Sequence, residues 1–283
     1  MHNRKMKKEK FWLKKLLDYT VKIDMIWLVI WGTIFVSFVV LDSIFQTAYP
    51  ERDVFWEFSL GDHPAMVKVI DNGTFIGVTV LKYLGIILSL AYARKKFPRD
   101  YLLQIALLFT LLADTILMLD NISVFGVLAF CFAQYFHIAR FTKTNPQFFA
   151  GYSLSIILIL MFGYFNHVPE MYMLALIYGA CLFCNVILAY RWWKKIRTKP
   201  ADHTDREIVS ATCAYYGFIL FAMCDVNVAL SYLSVTGVLP LFVARYVNFF
   251  AWFFYYPSQV LLSNSSFITR KPSKIKKKVV LSK

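Results

Sequence analysis

The chain has 283 residues, 59% of them hydrophobic, and carries a net charge of +14. Its mean hydropathy is +0.54. Soluble domains are usually about 45–50% apolar, so this composition argues against one; the basic excess then points to a lipid bilayer as partner, not to nucleic acid.

The first 22 residues form a basic tail. Within it "FWLKKLLDY" (11–19) is able to lie on anionic lipid as an interfacial helix. The tail resembles the basic start of a signal peptide, but the run behind it is long enough to span and no small-residue cleavage site follows. It is expected to stay as an anchor. Eight apolar segments come next, at about 23–44, 73–92, 101–119, 122–141, 148–165, 169–190, 209–233 and 237–262. Runs of roughly 20 residues cross about 30 Å of hydrocarbon as helix. The expected fold is therefore all-α: a polytopic membrane helical bundle of about eight transmembrane helices over 23–262, closed by a basic tail at 263–283.

Lys and Arg concentrate in both tails and in "ARKKFPRD", "ARFTKTNPQ" and "RWWKKIRTKPADHTDRE". The alternate loops hold only Arg52 and Lys68, and the 45–72 loop is acidic. By the positive-inside rule this places the N- and C-termini on the cytoplasmic side of the cell membrane. All five cysteines fall inside predicted spans, which implies no disulfide framework.

The third and seventh segments each hold one acid. Asp114 sits in "LLFTLLADTILML" and Asp225, 111 residues on, in "FILFAMCDVNVAL". The next helices align at the same offset, "GVLAFCFAQYFH" (126–137) with "GVLPLFVARYVN" (237–248). Spans 3–4 and 7–8 thus read as a partial parallel internal repeat about an axis along the membrane normal. The two acids would then share a layer, about 9 and 12 Å from the outer ends of their spans.

A charge inside a span costs about 2.5–3.5 kcal/mol on insertion scales and usually faces a bundle interior. Asp114, Asp225, Arg245 and Lys82 all fit that description. In span 8, Arg245, Asn248, Trp252, Tyr256 and Gln259 fall on one helical face; in span 4, Gln134 and His137 share one. Two matched acids with polar neighbours favour a functional cavity over two packing ion pairs. There is no metal-ligand signature, no G-x-S-x-G elbow and no phosphate loop, which leaves acid–base work by carboxylates and calls for no cofactor.

At "LLADTILML" with "FGVLAFCFAQYFHIARF", and at "GFILFAMCDVNVAL" with "YYPSQVLL", the chain resembles the YhhN-type lysoplasmalogenase family, whose members have eight membrane helices. Ala113 stands where the family has glycine, Cys224 where it has serine, Gln134 at its histidine position and His137 at its tyrosine position. The resemblance implies hydrolysis of the vinyl ether of a lysoplasmalogen, a lysophospholipid. Asp114 and Asp225 would be the catalytic acid and base, in either order. Lys82, Gln134, His137, Arg245, Asn248, Tyr256 and Gln259 would bind substrate or support the acids, with Arg245 or Lys82 toward the phosphate. Two alternatives stand beside this: a carrier using the intramembrane Asp/Arg cluster, and a lipid-binding member without catalysis.

Overall fold

The computed structural model describes residues 25–48, 73–119, 124–142, 146–198, 200–235 and 238–266. Eight α-helices stand where the eight apolar segments are: α1 (Met25–Ala48), α2 (Gly73–Lys96), α3 (Tyr101–Leu119), α4 (Val124–Thr142), α5 (Pro146–Phe165), α6 (Glu170–Thr198), α7 (Asp205–Val235) and α8 (Leu241–Ser263). No strand occurs among the described residues. The possible interfacial helix at 11–19 lies outside them.

Local chemistry sets the helix ends. Asp100 caps α3 by accepting from the Leu103 N–H at 3.2 Å. Thr204 and Glu207 form a reciprocal capping box at the start of α7, with Thr204 N–H to Glu207 Oε2 at 2.8 Å and Glu207 N–H to Thr204 Oγ1 at 3.3 Å. Pro146 starts α5, where its missing N–H costs nothing. At the end of α5, His167 takes φ 53° and the Val168 N–H returns to the Gly163 carbonyl at 2.9 Å, which closes the last turn.

Four stretches are long and apolar enough on their own to cross a membrane: Ile26–Ile44, Val124–Thr142, Glu170–Thr198 and Asp205–Ser234. The apolar parts of α3 and α5, Tyr101–Leu117 and Ala150–Phe165, are shorter. In α2, Lys82 and the basic end Arg94–Lys96 dilute the hydropathy.

Six helices form a closed ring in the order α2, α3, α4, α6, α7, α8 and back to α2. Outside it, α1 packs on α2 and α8, and α5 packs on α6 and α4. These helix–helix neighbours map onto themselves when α1–α4 are exchanged with α5–α8. The ring closes between α2 and α8 at Gly85, where the Tyr256 ring occupies the space a side chain would take. α1 is held by an aromatic cluster in which Trp31 meets Tyr92 edge-on at 4.8 Å and Phe38 meets Tyr256 at 5.9 Å.

The ring interior is the main core. Ile86, Leu182, Phe218, Phe221, Cys224, Ala251, Tyr255 and Leu262 bury into one cluster, with Leu111 and Phe130 packed against it. The outward faces of α5 are lipid-like, with Leu154, Ile157, Phe162 and Phe165 exposed. The packed bundle runs past α8: Asn264, Ser265 and Ser266 are buried, so the start of the segment expected as a basic tail packs with the bundle.

Candidate functional site

Asp114 and Asp225 come from α3 and α7, which do not pack side by side. Their carboxylates point into the ring interior from opposite sides, within electrostatic reach of each other. Each accepts a hydrogen bond from its own tyrosine. Tyr255 Oη on α8 donates to Asp114 Oδ2 at 2.6 Å. Tyr178 Oη on α6 donates to Asp225 Oδ2 at 2.5 Å. Such short O–H···O contacts suit an acceptor carrying charge.

Aromatic rings wall the pair. Phe221 meets Tyr255 edge-on at 5.5 Å, and Phe130 bridges Tyr178 at 5.8 Å to Phe221 at 6.1 Å. Trp252 packs edge-on against Tyr255 at 5.3 Å. Beside Asp114, the Thr115 and Tyr83 hydroxyls are bonded, tying α3 to α2.

Lys82 comes to the same region but is already engaged. Its Nζ lies 3.4 Å from Asp42 Oδ1 on α1 and 4.9 Å from the Trp252 ring centre. The sequence offers Lys82 beside Arg245 as a candidate for the phosphate; in the structure Lys82 pairs with Asp42, which the sequence does not single out.

Tyr256 turns away from the acids. Its hydroxyl donates to the Trp31 carbonyl at 3.1 Å, and its ring packs on Phe35 and Phe38. Tyr255, one residue earlier and about 100° around the helix, is the one that reaches Asp114. The two are separable. Tyr255→Phe leaves a buried carboxylate oxygen unserved and is expected to cost about 1–3 kcal/mol. Tyr256→Phe removes only a second bond to a helical carbonyl and is expected to cost about 0.5–1.5 kcal/mol. Unfolding midpoints in detergent check the order.

On α4, Gln134 and His137 are fully buried. Asn185 on α6 donates to both the Gln134 carbonyl at 3.0 Å and its Oε1 at 2.8 Å. His137 packs edge-on against Phe218 of α7 at 5.1 Å. Arg140 Nη1 lies 3.1 Å from His137 Nδ1. Arg140 also pairs with Asp100 at 3.7 Å and donates to the Ser265 carbonyl, while Ser266 Oγ donates to Asp100 Oδ2 at 2.9 Å. This cluster ties the α2–α3 turn, the end of α4 and the segment after α8 into one knot. Gln259 is buried one turn beyond Tyr255. The side chains of Arg245 and Asn248 lie outside the described residues.

Among the described residues, no three or more His, Cys, Asp or Glu side chains gather in a group that could hold a metal ion. A separate groove of about 600 Å³ opens beside α5, lined by Val124, Met161, Tyr164 and Met173 among others; neither acid lines it.

The YhhN family model matches residues 77–266, a stretch that contains both acids, both tyrosines, most of α2 and the other five ring helices whole. The chain belongs to the YhhN family. No curated protein and no solved structure gives a significant match. For a YhhN protein the match falls where the geometry is most built: it begins within α2, ends at Ser266 in the Arg140 knot, and leaves out α1. Family and apolar helices together place this YhhN chain in a membrane.

Proposed function

We propose that the chain is a multi-pass membrane hydrolase of lysoplasmalogens or closely related ether lysolipids, with both termini cytoplasmic. The observation that carries this reading is the facing pair Asp114 and Asp225, each held at one oxygen by a tyrosine inside an apolar ring. Membership of the YhhN family supports it.

The chemistry suits two carboxylates with one proton between them. The protonated acid gives its proton to the outer vinyl carbon, and an oxocarbenium ion forms at the carbon bearing oxygen. Water adds to that carbon while the second carboxylate takes a water proton. The hemiacetal then collapses to a fatty aldehyde and a free glycerol hydroxyl. Tyr178 and Tyr255 fix one oxygen of each acid, so the other is left to face substrate. The neighbouring carboxylate stabilises the cation, and the apolar walls receive the alkenyl chain.

The test is aldehyde release by the purified protein in detergent. Lysoplasmalogen is expected to yield one aldehyde per molecule consumed, and the saturated ether analogue, which cannot be protonated at carbon, none. Silence across vinyl-ether lysolipids sinks the hydrolase reading and leaves a lipid-binding member.

A further inference from the structure

Below the acid pair the ring interior carries polar groups that the chemistry above does not use. Four side-chain atoms there are buried with no hydrogen-bond partner: Gln134 Nε2, His137 Nε2, Asn185 Oδ1 and Gln259 Oε1. Each residue is 0 or 1% exposed. An orphaned buried polar atom costs about 1–3 kcal/mol, and proteins normally satisfy such atoms with internal water that makes two to four bonds.

The four atoms are a matched set. Guanidinium has donors only, so Arg140 donates to His137 Nδ1 and the imidazole proton sits on Nε2. His137 Nε2 and Gln134 Nε2 are then donors. Asn185 Oδ1 and Gln259 Oε1 are acceptors. None of these four atoms carries a formal charge. Two donors and two acceptors suit an O–H group.

Their placement is equally directed. Along α4, Phe130 touches the tyrosine of Asp225, Gln134 is one turn on, His137 the next, and Arg140 reaches the knot at the end of the bundle. Along α6, Asn185 lies two turns below Tyr178, about 10 Å away. Along α8, Gln259 lies one turn below Tyr255. His137 crosses the interior to Phe218 on α7, a helix that is not its ring neighbour.

The geometry points to a built water site, held by Gln134, His137, Asn185 and Gln259 between the acid pair and the Arg140 end of the ring. Resting on the proposed function, this site supplies the water that the hydrolysis consumes to a chamber whose other walls are aromatic and aliphatic.

Hydroxyl-radical footprinting tests it without any substrate. X-ray pulses generate radicals from water held in place, so a side chain beside bound water is oxidised even when buried. In ¹⁸O water, His137 and Phe218 are expected to take up label well above Tyr92, an equally buried ring in the α1–α2 aromatic cluster. The paired variant Gln134→Met with Asn185→Leu removes both amides together and is expected to bring Phe218 down to the Tyr92 level. Label at Phe218 no higher than at Tyr92 in the unaltered protein overturns the site, whether or not the variant folds; so does undiminished label in a folded variant. Label as expected with no aldehyde from any vinyl-ether lipid leaves the water site standing and fails the hydrolase alone.

Discussion

On the proposed function, Asp114→Asn and Asp225→Asn are each expected to lower aldehyde release from a lysoplasmalogen by about 10²–10⁴-fold, the range that a positioned proton donor or acceptor contributes. The fold survives, because the amide keeps the size of the carboxyl and its oxygen still accepts from Tyr255 or Tyr178. An amide cannot pass the proton between carbon, water and carboxylate, so either change stops the cycle at one step. The double variant falls little further than the weaker single, as groups acting as one unit do. Turnover and thermal midpoint measured on the same preparations separate chemistry from folding. Undiminished turnover in both single variants removes these residues from the chemistry and places the measured turnover elsewhere in the protein.

The largest expected loss of stability comes from the opposite end. Arg140 and Asp100 are a buried pair, 3% and 2% exposed. Breaking such a pair by removing one partner costs about 3–5 kcal/mol, because the remaining charge stays buried. Arg140→Met is therefore expected to drop the detergent unfolding midpoint sharply. Arg140→Lys recovers little, since a point charge cannot serve Asp100, His137 and the Ser265 carbonyl with one planar fork. Arg140→Met combined with Asp100→Asn recovers a good part, because no bare charge is left. An unchanged midpoint in Arg140→Met contradicts the knot.

The helices were legible in the sequence because membrane burial writes itself as hydropathy over about 20 residues. Each of the eight apolar segments carries one helix among the described residues. The acid pair was legible because a carboxylate in a span is expensive, and a second one 111 residues on doubles the signal. Its tyrosines were not. In a chain with 17 Tyr and 27 Phe, a tyrosine in a span reads as one more core aromatic until its hydroxyl is seen to reach an acid. Tracing span 8 by its polar residues selected Tyr256, yet Tyr255 faces the interior and Tyr256 faces α1. Arg140 and Asp100 read as ends of basic loops, and proximity to a loop carries no information on burial. Asp42 was missed for the same reason, near the end of its span, where its partner lies 40 residues away.

The tyrosines also depart from the matched helix neighbours of the two halves. Exchanging α1–α4 with α5–α8 carries Asp114 onto Asp225, but both donors, Tyr178 and Tyr255, belong to the second half. On α2, the helix that answers to α6, Tyr83 bonds Thr115 instead of the acid beside it. A socket with true two-fold symmetry would take an ether in either of two opposed poses, and only one of them would point the vinyl carbon at the proton donor. Here the two sides differ, so on the proposed function a lipid entering the ring would meet a head and a tail.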